Sequence, residues 1–438
     1  MELWTLLNGQ HIGTVWTDRA GGLHFRYESA WRDSPEAVPL SLCLPFSFES
    51  FDQERISAVL WGLLPDNAHT LQRWAQAYQV SASNPVALLA HVGEDCAGAL
   101  QFIKPERLQD LLEGKMDGQE PLDEADIADR LRRLRQDSGA SRRPDDVGQF
   151  SLAGAQPKIA LLEEDARWYV PSGRIPTTHI LKPPSGDFDG FAENEHFCLR
   201  LAAELGMNSA RTQVVRFGDE KAICVERYDR DRREDGAWQR IHQEDFCQAL
   251  ATPPQRKYQN QGGPSPKSMA ALLRLHSSDA REDVEQLFLA LGFNWMIAGT
   301  DAHAKNYSLL LGERGAIRLA PLYDISSVLP YKKRLQRKIN LAMKIGNHYR
   351  WWDVNINDWI SLSSELSLEP GFVVDVLKGM ASQLPDLALT EARRMREDGL
   401  DHPILPRLTD EIQKSCLRAS RLLSLPSRVR AKGEAPVA

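Results

Sequence analysis

Between Asp301 and Asn306, in the stretch GTDAHAKNYSLLLG, the chain gathers an acid, an imidazole, an ammonium and an amide. The helix-like run EQLFLALGFNWMIA precedes this group and an apolar run follows it, so it falls where a helix gives way to a strand. Three readings compete. Asp301 and His303, with GNHY at 346–349, offer ligands for a two-metal hydrolase. An acid, an amide and a further acid suit phosphoryl transfer from a nucleotide. A polar loop that only caps a helix and makes a turn needs no chemistry.

The residues that follow favour phosphoryl transfer. YSLLL, the turn GERG and AIRLAPLYDI predict a hairpin whose return brings Asp324 beside Asp301 and Asn306. One carboxylate then orients the attacking hydroxyl and takes up its proton, while an amide oxygen and a second carboxylate hold Mg²⁺ against the phosphates. The five-residue step from Asp301 to Asn306 equals that between acid and amide in the kinase loop H-R-D-x-x-x-x-N. Lys305 adds positive charge unless it simply points to solvent. The hydrolase reading is weaker: a Gly-Asp-x-x-Asp element and a later histidine pair are missing, and Asp-x-His follows a helix rather than a strand.

Upstream lie further parts of such a site. Lys182 ends the strand-like THILK, just before Pro183 and Pro184, where its ammonium can reach phosphates or merely snorkel. The helix ENEHFCLRLAAELG sets Glu195, Cys198, Ala202 and Leu205 on one stripe, so Glu195 faces inward as the expected counter-charge of Lys182, with Glu193 as the fallback. SLAGAQPK, Ser151 to Lys158, is a small-residue loop whose N–H groups can approach phosphate. KIALLEEDARWYV predicts one hairpin and RTQVVRFGDEKAICVERYD a second around a Gly-Asp-Glu turn; VERYD ends the second at an expected hinge, where the main chain of Glu226 to Tyr228 can meet an adenine edge. YKKRLQRK at 331–338 reads as a solvated loop rather than a nucleic-acid patch, and His242 as part of a polar helix start.

At 438 residues there is room for two to three domains, and 42% hydrophobic with 26% charged residues is ordinary globular composition. A formal charge of −7 argues against coating nucleic acid through net charge. Six scattered cysteines without a C-x-x-C pair suit a reducing compartment. The first residues lack a signal-like pattern and no apolar run approaches membrane length, so a soluble, cytoplasmic protein is expected. Residues 1–103 read as a small α/β unit with an Asn-Gly hairpin, a helical run broken at Pro65, and the strand GALQFI. Residues 104–148, rich in charge, read as a linker of exposed helices and a mobile loop. The span 149–400 reads as an α+β catalytic domain, sheet-rich until about Gln243 and helical after it, and 401–438 as a C-terminal helix with a frayed tail.

With PLSLCLPF, LWGLLPDN and VGEDCAGAL in the N-terminal unit, and FSLAGAQPKIAL, PTTHILK, NEHFCLRLAAELGM, VERYDR, QEDFCQAL, GTDAHAKN and LYDI beyond it, the chain resembles the HipA family of serine/threonine-kinase toxins. The resemblance implies a bilobal, protein-kinase-like catalytic domain, distantly similar to phosphoinositide kinases, which makes a lipid kinase the nearest enzymatic alternative. It implies Asp301 as catalytic base, and Asn306 with Asp324 on Mg²⁺. ATP would meet Ala153, Gly154, Ala155, Gln156, Pro157, Lys158, Lys182, Glu226, Arg227, Tyr228, His303, Ala304, Lys305, Asn306, Tyr323 and Asp324. Ser151 matches the family's autophosphorylated serine, whose modification expels the phosphate loop. A HipB-like helix-turn-helix antitoxin, operator DNA reached through it, and an aminoacyl-tRNA synthetase target, with the glutamyl enzyme favoured, are the implied partners. Growth arrest and persistence are the implied outcome. A kinase-shaped regulator that works by antitoxin and DNA binding is the non-enzymatic alternative. WISLSSELSLEP lacks the basic residues that some members direct at DNA.

Overall fold

In the computed structural model, residues 1–140, 150–184, 188–331 and 338–426 are described. The chain begins with β1 (Glu2–Leu7) and β2 (Gln10–Thr17), joined through Asn8 and Gly9, both at positive φ (47° and 79°). That is the backbone a two-residue hairpin turn requires, and Asn and Gly tolerate it best. After β3 (Leu23–Tyr27) come the helices α1 (Ser29–Arg32), α2 (Gln53–Gly62), α3 (Ala68–Tyr78) and α4 (Pro85–Val92), then β4 (Leu100–Ile103). The sheet order is β3-β2-β1-β4, and Leu3, Ile12, Val15 and Phe25 on one face pack with Leu60 and Leu89 from the helices and with Leu64 just past α2. Pro65 breaks the helical run, and Asn67 starts α3 by accepting the N–H groups of His69 and Thr70.

Residues 104–140 depart from the exposed helices expected of them. After α5 (Leu108–Leu112), β5 (Gly118–Leu122) pairs with a strand of the next sheet, and α6 (Glu124–Gln136) buries Ile127, Ala128, Leu131 and Leu134. Those positions form a narrow stripe at helical spacing, which the surrounding arginines and acids obscure in composition. The Ser/Gly/Pro loop falls mainly on 141–149, outside the described residues.

The larger sheet runs β5-β7-β6-β8-β10-β9, with β6 (Ile159–Glu164), β7 (Arg167–Ser172), β8 (His179–Lys182), β9 (Thr212–Phe217) and β10 (Glu220–Glu226). Helix α7 (Phe191–Glu204) lies between β8 and β9 in the chain and is buried along most of its length. Both expected hairpins, β6–β7 and β9–β10, are present.

Beyond Glu226 the chain forms β11 (Arg230–Arg232), β12 (Trp238–Arg240), β13 (His242–Asp245), α8 (Phe246–Ala249), α9 (Pro266–His276) and α10 (Ala280–Ile297). His242 sits on a strand rather than at a helix start, buried, with Nε2 3.0 Å from the Leu40 carbonyl. Strands β14 (Ser308–Leu311) and β15 (Ile317–Leu319) make the predicted hairpin, and β13 adds a third strand to it. The remainder is β16 (Asn340–Ile345), β17 (His348–Arg350), α11 (Ile356–Glu365), α12 (Pro370–Glu397) and α13 (Ile404–Leu423). Helix α10 buries Leu287, Phe288, Leu291, Phe293, Trp295 and Met296, all the way round, as a central helix does. No helix among the described residues is long and apolar enough to cross a membrane.

Burial of α6 gives a first test. Leu131 is fully buried, so Leu131→Ala is expected to lower unfolding free energy by about 2–5 kcal/mol. Urea denaturation measures it, and a change below ~0.5 kcal/mol would mean an exposed helix.

Candidate active site between the sheet and the helices

Strand β8 ends on Lys182 at the inner margin of the larger sheet, and that ammonium is shared. Its Nζ lies 2.7 Å from Glu195 Oε1 on α7 and 2.8 Å from Asp324 Oδ1, past β15. Glu195 is fully buried, as its stripe predicts, whereas Glu193 pairs with Lys221. Asp324 adopts φ 57°, the left-handed region, which an aspartate tolerates better than most residues. Burial opposes its charge, but Lys182 and Lys158 outweigh that and hold the carboxyl well below the usual range. Burial likewise opposes the Lys182 ammonium, and Asp324 and Glu195 reverse the sign, so it stays charged. Glu195, with Oε2 unpartnered, is pushed up by burial despite Lys182.

The loop after α10 turns sharply at Ala298, which has φ 50°. At Gly299 an added Cβ would meet Asn294 Oδ1 at 2.1 Å, so a side chain has no room. Asp301 is exposed at the cavity mouth, and its carbonyl accepts the Asn306 side-chain N–H at 2.9 Å. That bond fixes the amide and leaves its oxygen available to a cation. Tyr258 donates its hydroxyl to Asp301 Oδ1 at 2.5 Å and lays its ring edge-on to His303, centroids 5.0 Å apart. Burial pushes His303 down to about 4, so the ring is neutral, and its Nδ1 has no partner among the described residues. Lys305 does not point to solvent. It is buried, 2.8 Å from Asp66 Oδ1, while Lys257 lies 2.8 Å from Asp66 Oδ2.

The small-residue loop approaches from the other side. Gly154 has φ 110°, and Lys158 donates to the Ala153 carbonyl at 2.6 Å. Ser151 is fully buried and donates its hydroxyl to the Leu63 carbonyl at 2.7 Å. At the end of β10, the Glu226 and Arg227 N–H groups are taken by the carbonyls of Arg211 and Thr178. The Arg227 guanidinium turns into a buried cluster with Asp95 and Asp229. Tyr228 N–H is left as the donor of that segment without a main-chain acceptor among the described residues.

These parts enclose one cavity of ≈ 350 Å³. Its lining includes Ala153, Gly154, Ala155, Gln156, Lys158, Lys182, Glu195, Glu226, Arg227, Tyr228, Asp301, His303, Lys305, Asn306, Tyr323 and Asp324. Ala304 and Pro157 are not among them: Ala304 is fully buried and Pro157 lines a neighbouring small cleft. GNHY forms the turn between β16 and β17, with His348 on Asp358 at 2.9 Å, and does not line the cavity, so the geometry gives the two-metal reading no second half. No group of three His, Cys, Asp or Glu side chains suited to a metal occurs among the described residues. Sequence reasoning missed Asp66, Lys257 and Tyr258. LWGLLPDN had marked the neighbourhood of Asp66, but nothing local joins it to a loop 239 positions away.

Comparisons with known proteins bear on the family and the fold. Residues 3–103 match a family model described as the HipA N-terminal domain, and 150–388 one described as a HipA-like C-terminal domain. The chain belongs to the HipA family. It is 38% identical over 400 residues to a putative kinase, Y4mE, of Sinorhizobium fredii, covering 90% of this chain and 91% of that one. It is 30% identical over 380 residues to the serine/threonine-protein kinase toxin HipA of Shewanella oneidensis, covering 82% of each. The fold matches the solved complex of Shewanella oneidensis HipA, HipB and operator DNA with a TM-score of 0.80 at 24% identity, over 97% of this chain and all of that one.

Lys158 carries a stability signature. Burial first, then the Lys182 charge, push it down to about 8 from an ordinary 10.5. Below about 8 both folded and unfolded chains carry the proton, and the folded one bears the full cost. Above it the folded chain releases the proton while the unfolded chain keeps it, so the cost fades. Lys158→Met is therefore expected to raise the melting temperature at neutral pH, by an increment that shrinks as pH climbs through about 8. Calorimetric scans across that range check it; an increment that grows with pH would contradict it.

Proposed function

We propose that this chain is an ATP- and Mg²⁺-dependent serine/threonine protein kinase acting as the toxin of a toxin–antitoxin pair. The larger sheet and the helical half serve as its two lobes, in an arrangement akin to protein kinases and more distantly to phosphoinositide kinases. The observation that carries the reading is Lys182, bridging Glu195 and Asp324 in the lining of a cavity that also takes in Asp301 and Asn306.

The residues fit a magnesium-bound triphosphate. Gln156 Nε2 and His303 Nδ1 are buried without partners among the described residues, on side chains lining the cavity, and Lys158 and Lys182 bring positive charge there. Asn306 Oδ1 and Asp324 offer two oxygen ligands, and Mg²⁺ commonly takes the rest from phosphates and water. When bound, the ion neutralises charge on the transferring group. Asp301 orients the incoming hydroxyl and accepts its proton once Tyr258 yields the carboxylate oxygen it occupies. Lys182 and Lys158 stabilise the charge spreading over the phosphates. Tyr228 N–H and the neighbouring main chain meet the adenine.

Ser151 supports self-inactivation. Its hydroxyl sits buried against the Leu63 carbonyl, where a phosphate dianion would face an acceptor with no room and no water. Phosphorylation there would drive the segment out and carry Ala153 to Lys158 away from the cavity. A HipB-like antitoxin, operator DNA bound mainly through it, and an aminoacyl-tRNA synthetase substrate, glutamyl type favoured, complete the proposal. Growth arrest and persistence follow from the blocked synthetase, in the cytoplasm.

Intact mass before and after incubation with Mg-ATP tests the chemistry. Wild type is expected to gain one phosphate, at Ser151, and Asp301→Asn to gain it slower by about 10²–10⁴-fold. No gain by wild type would point to the regulator reading. Transfer to phosphoinositide vesicles but to no protein would point to a lipid kinase.

A further inference from the structure

The N-terminal domain reaches the cavity lining through Gly62, Asp66 and Ala97, and of these Asp66 carries the charge. Asp66 is nearly buried, and each of its carboxylate oxygens takes one ammonium: Oδ1 that of Lys305, Oδ2 that of Lys257, both at 2.8 Å. Lys305 lies in the loop between Asp301 and Asn306, and Lys257 precedes Tyr258, whose hydroxyl rests on Asp301. The segment Leu63 to Asp66 grips the phosphate loop. Asp66 N–H donates to the Gly154 carbonyl at 3.1 Å, and the Leu63 carbonyl accepts Ser151 Oγ at 2.7 Å. Among the contacts described, Asp66 alone touches both loops, one through its main chain and the other through its side chain.

We propose that Asp66 is a positioning residue for phosphoryl transfer, clamping the phosphate loop to the catalytic loop from the N-terminal domain. Two ammonium groups stand there among two carboxylates, since Lys305 also lies 4.0 Å from Asp245 Oδ2, and Asp66 is the carboxylate that contacts both, setting where their positive charge faces the cavity. Because Asp66 fixes both side chains, that charge needs no reordering when a phosphate arrives, which is the condition for it to count in the transition state. The contact also carries loop position to the catalytic residues. When the segment around Ser151 leaves, the Asp66 N–H and the Leu63 carbonyl lose their partners, and the hold on Lys305 and Lys257 loosens with them. This inference rests on the phosphotransfer reading of the cavity.

Asp66→Asn in the full chain separates positioning from support. The substitution keeps shape and removes one negative charge, so the affinity for a magnesium-loaded, non-hydrolysable ATP analogue is expected to hold or tighten. The kcat for phosphate transfer is expected to fall by about 10²-fold, as for a catalytic group displaced by about an ångström. Asp66→Glu, which keeps the charge, should recover part of the loss. A folded Asp66→Asn with wild-type kcat would overturn the proposal, as would kcat and analogue affinity falling together. Should Asp66→Asn fail to fold, Asp66→Asn with Lys257→Met removes the charge imbalance: a slow double variant upholds positioning, and wild-type kcat overturns it. Absence of transfer by wild type would defeat the phosphotransfer reading itself, a result distinct from a fast Asp66→Asn.

Discussion

One ammonium between two carboxylates from different parts of the fold sets the geometry of the whole cavity. Lys182 comes from the larger sheet, Glu195 from the helix behind it, and Asp324 from the end of the small sheet in the helical half. A buried charge this far from bulk water is tolerable only while it is paired, so each partner holds the others in place. Moving the sheet away from the helices would separate Lys182 from Asp324 and leave the ammonium with Glu195 alone. Positive charge is also crowded as it stands, because Lys158 is held near the Lys182 ammonium. Such an arrangement favours arrival of a polyanion. Stability given up in the free protein is recovered when phosphate charge enters.

The N-terminal domain changes how the cavity should be understood. It does more than flank the catalytic half, since Ser151 hydrogen-bonds to Leu63 and to Asp95, and Asp66 reaches both functional loops. Farther back, Asp95 gathers Arg227, Arg230 and Arg240 in a buried cluster that fixes the hinge segment to the same domain. Three parts of the site thus share one support. A change at Ser151 acts on a network and is felt beyond the loop itself.

Much of this was legible in the sequence, and the limits have physical causes. Hairpins with Asn-Gly or Gly-Asp turns, the inward stripe of α7, and the return of Asp324 follow from spacing a few residues long, and the structure has them. The pairing of Lys182 with Glu195 was predictable because one strand and the next helix carry it. Helix α6 was obscured by its own charge, since three of its buried residues are leucine or isoleucine among arginines and acids. Asp66, Lys257 and Tyr258 were beyond local reasoning altogether. Their roles arise only when the N-terminal domain, the loop after α8 and the loop after α10 meet, and no periodicity encodes that meeting.

Titration calorimetry of a magnesium-loaded, non-hydrolysable ATP analogue against wild type, Lys182→Met and Asp324→Asn addresses the central claim most directly. The account predicts measurable binding by wild type, weakened at least about tenfold in each variant through loss of charge-assisted contacts. Equal binding by all three proteins, or none by wild type, would mean that the shared lysine does not organise a nucleotide site.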